Sequence, residues 1–219
     1  MYQLITDYIV DLKKIHEKDC NAVVLQRNFP SLKSIEIDLN RLPDEFWLKN
    51  QSIYFTTNSA NDVYKTLSKA YQTDMLQRTQ AELLTDITDI FAHFKDLFKC
   101  EQINFRAEKV IANSCKLFHT DSIHARAFVT YYGHGTEFIN EANINPLGKY
   151  PWDGKCSHEE KNNQLLLDRR KIIRVFPGDL ILMKGNKWKD KSNVFSPIYH
   201  KSPEISDDNP CRFIVSMDF

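Results

Sequence analysis

Apolar residues recur at three- and four-residue steps along the middle of the first half of the chain. "ANDVYKTLSKAY" sets Val63, Leu67 and Ala70 on one side of a helix. "DMLQRTQAELLTDITDIFAHFKDLF" continues the rhythm with Leu76, Leu83, Leu84, Ile87, Ile90, Phe91, Phe94, Leu97 and Phe98. An apolar stripe this wide needs a large partner, and a sheet is the natural one. Upstream, Thr6 to Lys18 reads as a short amphipathic helix through Ile9, Leu12 and Ile15. "NAVVLQR" reads as a short strand closed by Asn28 and Pro30, and "SLKSIEIDL" as a strand or an extended connection.

After Cys100 the period changes from helical to alternating. "INFRAEKVI", "HARAFVTYYG", "KIIRVF", "LILMKG" and "CRFIVSMDF" are short strand patterns, separated by Pro-Gly-Asp, Asn, Lys and Ser-Pro turns. Several short strands without helices between them predict an antiparallel sandwich or jelly roll. The polar stretch from Asn140 to Asn163, with Pro146, Gly148, Pro151 and Gly154, reads as a long functional or mobile loop, in which Trp152 either covers a substrate or anchors the loop. The expected fold class is α+β. Residues 1–219 form one domain, with 1–100 as a mainly helical support and 101–219 as a jelly-roll core carrying the site.

Lys+Arg and Asp+Glu both number 29, so the formal charge is zero. A nucleic-acid or anionic-membrane binder working through bulk charge is therefore not expected. The five cysteines, Cys20, Cys100, Cys115, Cys156 and Cys211, are odd in number, scattered and without a CxxC pair. That pattern predicts reduced thiols rather than a disulfide framework or zinc ribbon. No signal-peptide pattern opens the chain and no apolar run approaches a membrane span, so the expected compartment is the cytoplasm.

Within "LFHTDSIHARAFVTYYGHGTEF", His119 and Asp121 stand two apart at the mouth of a strand, where alternate side chains share a face. An imidazole and a carboxylate so placed can occupy adjacent positions on one metal ion. The third ligand has four candidates: His124, His134, His158 and His200. His124 has the wrong parity, whereas His200 precedes the final strand, which can lie beside the strand following His119. Two histidines and one carboxylate are the facial triad of non-haem Fe(II) oxygenases. Arg212 follows on the closing strand, and a guanidinium grips a carboxylate through two parallel hydrogen bonds. An acidic cosubstrate such as 2-oxoglutarate needs a group of that kind at its far end.

These blocks resemble the Fe(II)/2-oxoglutarate dioxygenase superfamily of double-stranded β-helix fold, and within it the prolyl-hydroxylase pattern. The resemblance rests on His119-Thr120-Asp121, then Arg126, Thr130 and Tyr132, then "GHGTEF" in place of "GGET", then Gly178-Asp179 before an apolar strand, then His200 and Arg212. Along nearly its entire length the chain also resembles a bacterial domain-of-unknown-function family, the DUF eighteen-twenty-six group. Here the matching blocks are "NAVVLQR", Cys115 to Asp121, Thr130 to Glu137, Gly178 to Gly185, and "HKSP" from His200 to Pro203. The resemblance implies Fe(II) on His119, Asp121 and His200. It implies 2-oxoglutarate on Arg212, with Arg126, Thr130 and Tyr132 alongside, and hydroxylation of an unknown small molecule or peptide.

The rival readings are a non-catalytic jelly roll binding zinc or another divalent ion, a zinc hydrolase using the same triad, and an interaction module without metal. Tyr132 shares parity with Arg126 and Thr130 and is expected to face inward, leaving Tyr131 to the core. Glu137 is expected to orient His119 or His134, Cys115 to act as a small buried hydrophobe, and Lys184 to face solvent.

Overall fold

The computed structural model describes residues 1–72, 79–112, 115–148, 156–188 and 196–219. Its fold is mixed α+β. The strands of the large sheet are β1 (Tyr2–Thr6), β2 (Cys20–Leu25), β3 (Ser52–Thr57), β4 (Ile103–Val110), β5 (Ala125–Tyr132), β8 (Leu180–Lys184) and β10 (Arg212–Asp218). Their order is β1-β2-β8-β5-β10-β4-β3, antiparallel at every junction except β1/β2. A smaller antiparallel sheet, β7-β6-β9, combines β6 (Glu137–Ile139), β7 (Ile172–Arg174) and β9 (Tyr199–Lys201). The first hundred residues thus supply three strands as well as helices.

Alternation decides which side chains go where. Val23, Leu25, Leu180, Leu182, Ala127 and Val129 point to the helical side of the large sheet. They meet α1 (Leu32–Arg41), α2 (Asp44–Asn50), α3 (Ala60–Ala70) and α4 (Gln80–Phe98). On α4 the predicted stripe is buried at Leu83, Leu84, Ile87, Ile90, Phe91 and Phe94, while Leu76 lies outside the described residues. Each such side chain contributes about 1.5–3 kcal/mol when fully buried. Ala22, Val24, Ile181 and Met183 point the other way and pack against Phe138, Val175 and Ile198 of the smaller sheet and its flanks. A half-buried polar clamp fixes α4 on the sheet. Arg27 grips Asp86 through Nη1 at 2.6 Å and Nη2 at 3.1 Å, and Tyr131 donates its hydroxyl to Asp86 at 2.5 Å.

Three local expectations are corrected. "SLKSIEIDL" is helical: Ile35 and Leu39, four apart, are the residues it buries. That is a helical step, and the alternation seen in sequence was incidental. Ile9–His16 is a 3-10 helix following β1, with Leu12 and Ile15 buried. The polar stretch after Asn140 contains a helix, α5 (His158–Leu165), opened by a complete capping box between Ser157 and Glu160. Trp152 lies outside the described residues.

Candidate metal centre

His119 and His200 form an isolated antiparallel bridge, each backbone N–H donating to the other's carbonyl. β9 is thereby flanked by β6 on one side and by His119 on the other. The chain then bends. Asp121 is not on a regular strand, as the alternation argument assumed, but in the turn leading into β5. That turn is held by the segment after β8: Asn186 N donates to Asp121 O at 2.8 Å and Lys187 N to Ile123 O at 2.9 Å. The bend returns the Asp121 carboxylate to the two imidazoles. His119 Nε2 is 3.6 Å from Asp121 Oδ1, and His200 Nε2 is 3.3 Å from Oδ2. One ligand atom from each of the three residues lies within 4.8 Å of the others.

Hydrogen bonding sets the imidazole tautomers. His119 Nδ1 faces the carbonyl of Leu117 at 2.9 Å, and His200 Nδ1 faces that of Ile198 more loosely at 3.5 Å. A carbonyl only accepts, so a proton on each Nδ1 is matched there, and the neutral imidazoles then turn an Nε2 lone pair toward a cation. Three acceptors then converge on one point, an arrangement that a cation satisfies. With no cation present, each imidazole can take a second proton at Nε2 and donate it to Asp121; burial works against the ionised carboxylate, but those hydrogen bonds and the charge of Arg126 outweigh it and hold the carboxyl far below the ordinary range. The Asp121 carboxylate likewise raises the His119 imidazole, against the opposing effect of burial.

Arg212 is buried to 1% exposure at the start of β10. Its Nε donates to His134 O at 2.6 Å, and Nη2 approaches the hydroxyls of Thr130 at 3.3 Å and Thr136 at 3.4 Å. No carboxylate among the described residues pairs with it, and burial pulls it down to about 10. A cavity of about 110 Å³ is lined by His119, His200, Arg126, Phe128, Arg212 and Ser216. A larger one of about 380 Å³ adjoins it, sharing Cys115, Lys201 and Ser202 and walled by α5.

Arg126 lines the smaller cavity but faces two carboxylates. Nη1 donates to Asp121 Oδ2 at 2.7 Å, while Nε and Nη2 donate to Asp218 Oδ2 at 3.0 and 2.7 Å. Tyr132 does not join the group. β5 carries a bulge: Thr130 pairs with Ile214 but Tyr132 with Phe213, which leaves Tyr131 as the extra residue. Parity flips there, so Tyr132 packs toward the helices and donates to Asn40 Oδ1 at 2.9 Å. Tyr131 is core, as expected.

Glu137 orients neither His119 nor His134. It sits between its cross-strand neighbours, 2.5 Å from both Arg174 Nη2 and Lys201 Nζ. Cys115 is exposed at the junction of the two cavities rather than packed inside. Lys184 is buried, donating to Glu17 O at 2.8 Å above the Trp188 ring. His124 stacks on Phe219, and His158 lines the larger cavity. Thr136, Ser216 and Asp218 escaped the sequence reading, although Ser216 and Asp218 share the parity of Arg212 on β10 and Thr136 stands in "GHGTEF".

The chain shares its fold with a dioxygenase for auxin oxidation from Arabidopsis thaliana, solved in binary complex with 2-oxoglutarate. The TM-score is 0.52 at 12% identity, over 100% of this chain and 91% of that one. The corresponding rice dioxygenase aligns at a TM-score of 0.49 and 13% identity, over 90% of this chain and 72% of that one. No curated protein matches in sequence. A family model described as "Protein of unknown function (DUF1826)" matches residues 6–218. No helix among the described residues is long and apolar enough to cross a membrane.

Proposed function

We propose that this chain, which belongs to the DUF1826 family, is an Fe(II)- and 2-oxoglutarate-dependent dioxygenase built on a double-stranded β-helix, acting on a small molecule or peptide. One observation carries the reading. Three acceptor atoms from His119, Asp121 and His200 converge beside one cavity, and that cavity is also lined by a buried guanidinium that no carboxylate among the described residues pairs with. A buried cation without an anionic partner is costly. It is tolerated where a ligand brings the missing charge, and a dicarboxylate that reaches the metal with its other end fits both halves of the site.

Two imidazoles and one carboxylate suit Fe(II) and leave coordination positions open. Bound there, iron with 2-oxoglutarate supplies the redox chemistry: dioxygen, 2-oxoglutarate and a C–H bond give succinate, carbon dioxide and a C–OH group. The protein's part is placement. The backbone bridge between His119 and His200 sets the spacing of the imidazoles. Thr130, Thr136 and the carbonyl of His134 aim the Arg212 guanidinium into the cavity. Phe128 supplies an apolar wall that limits water.

The test is an anaerobic Fe(II) titration with and without 2-oxoglutarate, followed through the visible charge-transfer band of the chelate. A band requiring both components, and weakened in Arg212→Ala, is the expected result. Metal uptake with no such band would overturn the oxygenase reading in favour of a zinc-type or metal-storing site.

A further inference from the structure

Resting on that reading, we infer that Arg126 is a positioning residue: it occupies one oxygen of Asp121, so that the carboxylate offers the metal only the other. The sequence alone grouped Arg126 with the cosubstrate ligands, and the geometry points elsewhere. Its Nη1 is committed to Asp121 Oδ2, and its Nε and Nη2 to Asp218 Oδ2. One positive charge lies between two negative ones, which leaves no unmet charge for a third carboxylate. Arg212, in the same cavity, is the reverse case.

The support behind Arg126 is itself anchored. Asp218 stands directly across from Arg126 in the β5/β10 ladder, and its Oδ1 accepts from Asn104 Nδ2 of β4 at 3.1 Å. The guanidinium is therefore fixed by three adjacent strands. Asp121 Oδ2 accepts from Arg126 at 2.7 Å, whereas the ring nitrogen facing Oδ1, His119 Nε2, stands off at 3.6 Å. A carboxylate free of that donor can turn both oxygens to a cation and fill a position that an incoming chelator needs. Arg126 prevents this turn. Its effect falls on how many positions remain open for the cosubstrate, more than on whether the metal binds.

The experiment uses the full chain and separates two affinities: Fe(II) for the protein, and 2-oxoglutarate for the Fe(II)-loaded protein, both anaerobically. In Arg126→Leu, metal affinity is expected to hold or tighten. The 2-oxoglutarate dissociation constant is expected to rise by about tenfold or more, in the range seen when supports of metal ligands are removed. Arg126→Lys, which restores one donor, is expected to recover most of the loss. A 2-oxoglutarate constant in Arg126→Leu within about twofold of wild type overturns the inference, as does a fall in metal affinity with cosubstrate binding intact. Should Arg126→Leu fail to fold, Asp218→Asn loosens the same guanidinium. A weaker cosubstrate constant there supports the inference, and an unchanged one overturns it. A wild-type protein that binds metal but forms no chelate band overturns the proposed function itself, and the inference with it.

Discussion

His119 and His200 are each other's backbone partners, with N–H to carbonyl distances of 3.0 and 2.9 Å, and their rings stand 4.6 Å apart. The pairing that brings the imidazoles together does not use them. His119→Ala and His200→Ala should therefore keep the bridge and lose the ion. Metal affinity should fall by more than about 100-fold, beyond the 10–100-fold typical of supporting residues. In chelator, His119→Ala should melt within about 4 °C of wild type, as expected for a change below about 1 kcal/mol in a chain of this size. Metal analysis and thermal melts check both.

Replacing Arg212 with Met removes a buried charge that has no ion-pair partner among the described residues and keeps much of the volume. Without cosubstrate, the variant should be about as stable as wild type, because relief of the buried charge offsets the bonds lost to His134 O, Thr130 and Thr136. Its binding of 2-oxoglutarate should fall by at least about tenfold, or ~1.4 kcal/mol. Urea unfolding and the chelate titration read the two effects separately. A destabilised variant would show that Arg212 is structural.

Tyr132→Phe should leave 2-oxoglutarate binding unchanged. Its hydroxyl donates to Asn40, away from the candidate site, so the cost is a stability loss of about 0.5–1.5 kcal/mol. Weakened cosubstrate binding in this variant would put the ring back in the site.

Gly133 turns the chain after β5 with φ +78°, and a Cβ there would lie 2.3 Å from Cys211 O. The next carbonyl, that of His134, accepts from Arg212. Gly133→Ala should cost about 1–3 kcal/mol from overpacking, more with the left-handed backbone included. It should also weaken cosubstrate binding through Arg212, readable in the same titration.

Glu137 is ionised below its ordinary value of 4.5: burial opposes this, but Lys201 and Arg174 outweigh it. The unfolded chain takes up this proton first as pH drops, so stability rises with pH across that window. The contribution is complete above about pH 4.5 and is lost as pH falls through the lower native value. Glu137→Gln should flatten the acid limb of a stability–pH curve and lower the plateau.

Much of this was legible in the chain. The helical stripe of α4, the alternation of β4, β5 and β10, and the meeting of His119, Asp121 and His200 all follow from local pattern or from ligand chemistry. The misses have particular causes. A bulge is one extra residue, so nothing in "FVTYYG" signals that Tyr132 leaves the parity set by Arg126 and Thr130. The two faces of "SLKSIEIDL" are separated only by what packs on Ile35 and Leu39. The partners of Glu137, Arg174 and Lys201, lie far from it along the chain and meet it only through the strand register.

The bridge at His119 and His200 also spans a boundary. His200 belongs to the smaller sheet and Asp121 to the turn entering the larger one. A cation held by both would act as a rivet between two plates joined elsewhere chiefly by apolar contact. Loading the ion should then stiffen the edge where the two sheets meet, so that slowed amide exchange at residues 117–124 and 198–202 would register occupancy independently of turnover.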